Sequence, residues 1–461
     1  MTKKIDKYSM FAICFLIFCM KIGFRREIPV KRCVIFFDRN RINNWRIKRK
    51  FFSEFKMPAV WELNQVEKQH KYLLILVMLL TVFILPGCQT GATRKETNEQ
   101  PVHGAEDTIK IGFLGNKNGY GGSECLKGIR LAVDDINKTG GLLGKKVELI
   151  EGDHGGNSSE TVRVTQSLVD RKAAVIIGDN TTGITKLAAT VCQDNNVVLI
   201  SPTASGSGVV EMGEYIFRIA LLDSVAVPAV VRYLADTLEW KKVALVKNIG
   251  RSYTEGLAAI FKPALVRSGI EIVNEQKIRK NDTDFSAQVA ALKQSSFDGL
   301  VFPGNNVEAY LFIKEMRRQG LRQAVVGGDG MYTRELIENG GIDVEGTLTY
   351  AGFAVDPESA SPKTMEFVEK YRAVNNNLTP DVFAAQAYDA VNLAADAIRA
   401  AGSAEPAKFK EKLAQTKNWR GVSGTITFDR DREPVKSPVY LMEVKEGRFV
   451  IKAVIPAGLD S

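Results

Sequence analysis

The sequence predicts an α/β protein in which two similar lobes each contain a parallel sheet. Three observations indicate this fold: buried-type strands alternate with amphipathic helices from Thr108 onward, the connections between them are short, and the series occurs twice. Strand–helix repeats with short connections imply right-handed crossovers and a sheet covered by helices on both faces. Two such series in one chain predict two lobes.

The first series begins with an apolar strand at 108–115. After a Gly-rich turn, Ile129, Ala132 and Ile136 recur at helical spacing, and this helix stops at Gly140. The other elements of the series are strands at 145–153, 173–179 and 197–205 and helices at 158–172 and 183–196.

The second series follows the segment 215–224. Its elements are helices at 227–240, 253–269, 283–295 and 307–320 and strands at 241–248, 270–278, 297–304 and 323–330. Beyond it lie a strand at 345–353, helices at about 361–374, 381–401 and 405–416, and β segments at 424–429 and 438–456. A tail of this length predicts that the chain crosses back to the first lobe and then returns to the second.

The charge of the chain is concentrated at its N-terminus. The whole sequence has a net charge of +9, but residues 1–56 hold 15 Lys and Arg against 4 Asp and Glu. Residues 57–88 are neutral, and 89–461 carry 45 basic and 47 acidic residues. The bulk of the protein therefore lacks the basic surface that nucleic-acid binding requires, and we expect no nucleic-acid partner.

Histidine is scarce enough to exclude most enzymatic sites. His70, His103 and His154 are the three in the chain, and they cannot supply an HExxH zinc site or a plausible Ser-His-Asp triad. The glycines near the first turn do not spell GxGxxG, and GDNTTGITK lacks the Gly-Lys-Ser/Thr ending of a phosphate-binding loop. We expect a protein that is not an enzyme, with no catalytic residue, no metal ligand and no cofactor.

A signal-peptide pattern precedes the folded region. Lys68 and Lys71 are followed by an apolar run from Tyr72 to Leu85 and by the tetrapeptide LPGC. The run is too short for a comfortable membrane span but suits a signal-peptide core. The tetrapeptide resembles the lipobox of bacterial lipoproteins, which implies lipidation of Cys88.

These features divide the N-terminal region into three predicted segments. They are a basic extension at 1–56, a lipoprotein signal peptide at 57–87 and a flexible polar tether at 88–107. The apolar run at 10–20 leaves open a second membrane-associating segment. We favour Met57 as the start of translation, because a signal peptide lies within roughly 30 residues of the N-terminus.

Seven motifs in order resemble the type I periplasmic binding proteins, specifically the branched-chain amino acid binding-protein family of ABC importers. The resemblance covers about 108–455. Its motifs are IGFLGNKNGYGG, DDINKTGG with LLGKKVEL, VIIGDNTTG, VVLISPTAS, KNIGRSYTEG, NDTDFSAQVAALK and VVGGDG.

The resemblance implies two Rossmann-like lobes joined by three crossings, with the ligand held between them by hinge closure. The implied lobes are 108–220 with 353–429 and 222–350 with 436–455. It implies an extracytoplasmic lipoprotein, in the periplasm or at the cell surface, that delivers a branched-chain amino acid or a related small zwitterion to an ABC permease and ATPase. We expect a monomer. A receptor of the same fold that senses amides or aromatic acids is the alternative.

Loops that leave the carboxyl ends of strands line the ligand crevice of such sheets. By resemblance, Thr182 and Ser205 bind a ligand carboxylate, and the backbone of Thr203 contacts both carboxylate and ammonium. Asn180, Thr181 and the first turn of the following helix favour an anion physically, because a helix begins with free N–H groups and a positive dipole end. The alternatives are that Thr181 or Thr182 only caps this helix and that 201–205 is a plain turn.

On the second lobe the resemblance makes Tyr253 the closing tyrosine and Asp329 the acid that pairs with an α-ammonium. An acid enclosed by a closing cleft suggests a cationic ligand group. The alternatives are a half-buried aromatic at a helix start and a solvated loop aspartate. Asn305 stands where the family often has an aromatic residue, so this side of the pocket departs from the family pattern.

Four residues fall where the family contacts the ligand side chain: Tyr120, Asn180, Thr181 and Phe383. Asn180 and Thr181 make this part of the pocket more polar than a purely leucine-like ligand requires. Cys125 and Cys192 lie in helical patterns, and we expect two separately buried thiols rather than a disulfide.

Overall fold

The computed structural model describes residues 108–356 and 360–456. Four predictions lie outside these residues: the segments 1–56, 57–87 and 88–107 and the lipidation site Cys88. No helix in the described part of the chain has both the length and the apolar character needed to cross a membrane.

Five parallel strands form the first sheet. They are β1 (Ile109–Gly115), β2 (Val147–Asp153), β3 (Val175–Gly178), β4 (Val198–Ser201) and β5 (Ile216–Arg218). Their spatial order is β2-β1-β3-β4-β5. Every residue of β3 and β4 is buried, as expected for central strands covered on both faces.

Three helices connect these strands: α1 (Tyr120–Lys138), α2 (Ser158–Asp170) and α3 (Thr182–Asp194). The predicted apolar positions Ile129, Ala132 and Ile136 of α1 are buried against the sheet. The side chain of Asn157 caps α2 by accepting a hydrogen bond from the Ser159 N–H. We call the elements packed on this sheet the first lobe.

The second sheet has seven strands. They are β6 (Lys242–Ile249), β7 (Glu271–Arg279), β8 (Gly299–Phe302), β9 (Ala324–Gly327), β10 (Leu348–Ala351), β14 (Val439–Lys445) and β15 (Arg448–Ile455). Their order is β15-β14-β10-β9-β8-β6-β7. The accompanying helices are α4 (Asp223–Asp236), α5 (Ser252–Arg267), α6 (Ser286–Leu292), α7 (Asn306–Arg318) and α8 (Arg334–Gly340). We call this set the second lobe.

The second sheet is mixed rather than wholly parallel. Strands β6 to β10 pair in parallel, whereas β14 runs antiparallel to both β10 and β15. Glu446 and Gly447 connect β14 to β15 with φ values of 53° and 68°. Two consecutive positive φ values are typical of the tight turn of a hairpin, and a two-residue connection cannot return a strand in parallel.

The tail packs on the first lobe. It contains α9 (Pro362–Val374), α10 (Val382–Ala401), α11 (Pro406–Ala414) and a small sheet of β11 (Trp419–Arg420), β12 (Thr425–Phe428) and β13 (Pro434–Val435). Phe367, Ile398 and Phe428 are buried in the same core as the strands of the first sheet.

The helix predicted at 283–295 is shorter than expected, because only Ser286–Leu292 is helical. Asp284 Oδ1 accepts a hydrogen bond from the Ser286 N–H, which fixes the chain just before the helix. The thiols of Cys125 and Cys192 are buried and unpaired, which confirms that prediction. Burial raises the pKa of Cys192 to about 12, so this thiol is unreactive at neutral pH.

Candidate functional site

A cavity of about 640 Å³ lies between the two lobes at the carboxyl ends of their strands. All ten sequence-predicted ligand residues line it: Tyr120, Asn180, Thr181, Thr182, Thr203, Ser205, Tyr253, Asn305, Asp329 and Phe383. Nine of them lie on loops or helix starts that follow a strand, and Phe383 lies in the first turn of α10. The topology therefore brings together residues that are up to 263 positions apart in the sequence.

The first-lobe wall presents hydrogen-bond donors at the start of α3. Thr182 is the first residue of this helix, and its Oγ1 accepts a hydrogen bond of 3.1 Å from the Gly206 N–H. Because this bond uses a lone pair, the hydroxyl proton of Thr182 remains available to a group in the cavity. The hydroxyl and the positive end of the α3 dipole are chemically suited to an anion.

The neighbouring threonine has a different role. The hydroxyl of Thr181 donates to Asp179 Oδ1 over 2.8 Å, and its backbone N–H donates to the same oxygen over 2.7 Å. Thr181 makes no capping hydrogen bond to α3, so the alternative that it only caps the helix is wrong.

A buried histidine holds Asp179 from the other side. His154 Nε2 lies 2.9 Å from Asp179 Oδ2, and both side chains are 2% exposed. Since His154 Nδ1 accepts a hydrogen bond from the Gly156 N–H, Nε2 carries the proton that binds Asp179. The backbone carbonyl of Asp179 accepts hydrogen bonds from Ser201 Oγ and Thr185 Oγ1. The loop that carries residues 180–182 is thus held by three hydrogen bonds to Asp179.

The loop after β4 is fixed by its carbonyl groups. Arg218 donates from Nη1 to the carbonyls of Ala204 and Gly206, and its Nε and Nη2 bind the carboxylate of Glu433. Thr203 Oγ1 donates to the carbonyl of Asn180 over 3.0 Å. These bonds are more extensive than those of a plain turn, and they join the loop to the segment between β12 and β14.

The second-lobe wall presents a carboxylate. Tyr253 donates its hydroxyl proton to Asp329 Oδ1 over 2.7 Å, because the Gly330 N–H already donates to the Tyr253 oxygen. The half-buried Asp329 lines the cavity. Burial raises the pKa of Asp329 to about 6, although the Tyr253 and Ser205 hydroxyls and the Gly330 N–H oppose the increase.

A second carboxylate, Asp223, lies close behind this wall and was missed in the sequence. It is fully buried at the first position of α4, where Oδ1 accepts a hydrogen bond from the Tyr350 hydroxyl over 2.6 Å and Oδ2 has no partner. Burial and the charge of Asp329 raise the pKa of Asp223 to about 8. The Ser205 hydroxyl lowers the pKa of both acids, so it lies where the lobes meet.

Asp223 and His154 had weak signals in the sequence. Asp223 directly follows the first crossing, and His154 directly follows the carboxyl end of β2. Polar residues at these places tend to line ligand crevices, but their partners are far away in the sequence. Among residues 108–356 and 360–456, no group of three or more His, Cys, Asp or Glu side chains is arranged to hold a metal ion.

Aromatic side chains border the other end of the cavity. The rings of Tyr120 and Phe383 meet edge to face with centroids 6.1 Å apart. The guanidinium carbon of Arg334, from the second lobe, lies 5.8 Å from the Tyr120 centroid and contributes a cation–π contact across the cleft. Burial and the charge of Asp381 raise the pKa of Tyr120 well above its usual value, so the phenol is neutral.

The chain is similar to known ligand-binding proteins. A family model described as "Periplasmic binding protein" matches residues 108–448. Leu/Ile/Val-binding protein homolog 1 of Brucella melitensis is 29% identical over 340 residues, which cover 73% of this chain and 90% of that protein.

Solved structures agree with this match. The branched-chain amino acid transporter substrate-binding protein LivJ of Streptococcus pneumoniae, in complex with isoleucine, superposes with a TM-score of 0.70 at 32% identity. The leucine-binding protein LivK of Thermotoga maritima superposes with a TM-score of 0.71 at 28% identity. Each alignment covers 76% of this chain and 99% of the other protein.

Proposed function

Because the chain belongs to the periplasmic binding protein family, we propose that it binds a free amino acid between its lobes and delivers it to an ABC importer. The ligand is a branched-chain amino acid or a related small zwitterion. The family consists of extracytoplasmic binding proteins, which confirms the predictions of a binder rather than an enzyme and of a location outside the cytoplasm. Relatives named for Leu, Ile and Val binding favour this function over a sensor of amides or aromatic acids.

One observation carries the proposal: the cavity has opposite electrostatic character on its two walls. The Thr182 hydroxyl and the N-terminus of α3 suit a carboxylate, and Asp329 suits an ammonium. A free α-amino acid carries both groups at fixed separation. A ligand without an ammonium would leave the half-buried Asp329 without a cation, which is costly once the cleft closes.

The two lobes would move relative to each other when the ligand binds. We keep the predicted division of 108–220 with 353–429 and 222–350 with 436–455, connected by three crossings. The separate cores around the two sheets support it, since Phe353 packs in the first and Tyr350 in the second. Hinge closure would then exclude water from both ligand charges.

The protein would be held at the membrane through Cys88. In this proposal a signal peptidase removes 57–87, together with any residues before it, and 88–107 tethers a monomeric binding unit to the lipid. Metabolic labelling with radioactive palmitate tests the anchor: the wild type should be labelled and sediment with membranes, whereas Cys88→Ala should not be labelled. Labelling of Cys88→Ala would place the lipid elsewhere.

Calorimetric titration of the purified protein with the amino acids, small amides and aromatic acids tests the ligand class. We expect at least one α-amino acid to bind and its deaminated analogue, which retains the carboxylate and side chain, to bind far more weakly. Equal binding of the two would refute the role of the ammonium. Binding of aromatic acids alone would favour the sensor of the same fold.

A further inference from the structure

Two carboxamides, one from each lobe, line the cavity. Asn180 lies on the loop after β3, and Asn305 on the loop after β8. Neither side chain makes a hydrogen bond within the described part of the protein. We call Asn180 and Asn305 the carboxamide pair.

Glycines make room for both amides. A Cβ atom at Gly121 would lie 2.6 Å from Asn180 Nδ2, and one at Gly330 would lie 2.9 Å from Asn305 Oδ1. Any larger residue at either position would displace the amide. The absence of a side chain at Gly121 and Gly330 therefore leaves space for the two amide groups.

Thr181 adds a hydrogen-bond acceptor beside Asn180. Its proton is committed to Asp179, which His154 holds in turn, so the Thr181 oxygen can offer only lone pairs to the cavity. The cavity therefore offers a ligand side chain the Thr181 oxygen, which can only accept hydrogen bonds. It also offers two amides, each of which can both donate and accept.

Two carboxylates that line the cavity, Asp179 and Glu335, already have hydrogen-bond partners. Asp179 accepts hydrogen bonds from His154 and Thr181, and Glu335 Oε2 accepts one from Asn306 Nδ2. Because both carboxylates already accept hydrogen bonds, neither is free to attract a cationic side chain. The rings of Tyr120 and Phe383 provide an apolar wall for the carbon atoms of the same side chain.

An aliphatic side chain would fit this environment poorly. Closing the cleft on a leucine-like group would remove water from the carboxamide pair without replacing its hydrogen bonds. Each buried polar group left without a partner costs about 1–3 kcal/mol. A site built to hydrogen-bond a ligand therefore discriminates strongly against an isostere that lacks the polar group.

We propose that the amino acid ligand carries a neutral hydrogen-bonding group, a hydroxyl or a carboxamide, on a short side chain, and that Asn180 and Asn305 select it. This inference rests on the proposed function and specifies the ligand within it. The carboxamide pair contacts the ligand side chain, whereas Thr182 and Asp329 contact the groups that all amino acids share.

Two pairs of near-isosteric ligands test the inference by calorimetric titration of the purified protein: threonine against valine, and asparagine against leucine. In at least one pair we expect the polar member to bind at least tenfold more tightly. Asn180→Leu and Asn305→Leu should each reduce that ratio at least tenfold, and melting temperatures close to the wild-type value would show that both variants fold.

The outcomes separate the two proposals. If valine and leucine bind as tightly as threonine and asparagine or more tightly, and Asp329→Asn abolishes their binding, the carboxamide inference is wrong while the proposed function stands. If both leucine variants retain the wild-type preference, other residues select the side chain and the inference is also wrong. If no α-amino acid binds to the folded protein, the proposed function fails and the inference fails with it.

Discussion

Replacing Asp329 by asparagine would test the ammonium site with little change in shape. The asparagine oxygen can still accept the hydrogen bond that Tyr253 donates over 2.7 Å, so the cavity wall should persist. The substitution removes the negative charge and replaces one acceptor oxygen by an amide donor. A ligand ammonium would then be enclosed next to a neutral amide.

The expected loss of affinity follows from the enclosure of this charge. Hydrogen bonds to charged groups contribute about 1.5–3 kcal/mol, and removing one partner of a buried ion pair costs about 3–5 kcal/mol. Because Asp329 retains some exposure to the cavity, we expect about 3 kcal/mol. This value corresponds to roughly a hundredfold weaker Kd.

Calorimetric titration at pH 8 measures this loss, since Asp329 is ionised well above its pKa of about 6. The ligand-free variant should melt at or above the wild-type temperature at this pH. The sign follows from the raised pKa: the folded state disfavours the ionised form, so the stability that the protonated acid provides is lost as pH rises through the folded pKa. A Kd within threefold of the wild-type value would refute the ammonium site.

Three further predictions concern pH, the carboxylate site and the first-lobe core. Ligand affinity should fall about tenfold per unit below pH 6, because the ammonium needs the ionised form of Asp329, and a flat profile from pH 4 to 8 would contradict this. Thr182→Val should weaken binding at least tenfold by removing the hydroxyl donor, whereas Thr182→Ser should stay within threefold of wild type; equal Kd values for the two variants would exclude the donor role. Asp389→Ala should lower the free energy of unfolding by about 3 kcal/mol in urea titrations, because the buried carboxylate accepts hydrogen bonds from two backbone N–H groups and the hydroxyl of Ser423. A loss under about 1 kcal/mol would show that water replaces the carboxylate as the partner of these groups.

Much of the site was predictable because its residues follow strand ends. In parallel sheets the carboxyl ends of neighbouring strands meet at one edge, so Thr182 and Ser205 had to lie near the same crevice of the first sheet once the strands were identified, and Asp329 at the matching edge of the second sheet. The pairing of two lobes needed the resemblance in addition. Local sequence patterns do not show that the crevice of the first sheet faces the crevice of the second sheet.

The hydrogen-bond directions were not predictable from the sequence. Whether Thr181 offers a donor or an acceptor depends on Asp179, and the burial of Asp223 depends on Tyr350, which lies 127 residues further along the chain. The antiparallel course of β14 and β15 depends on the two-residue turn at Glu446 and Gly447. Such features arise from contacts distant in sequence, which periodicity does not encode.

A crystal structure of the protein with a bound amino acid tests the central claim most directly. The account predicts the ligand carboxylate at the N-terminus of α3, within about 3 Å of the Thr182 hydroxyl, and the ammonium at about the same distance from the Asp329 carboxylate. A ligand in the opposite orientation, or one bound outside the cleft between the lobes, would contradict it.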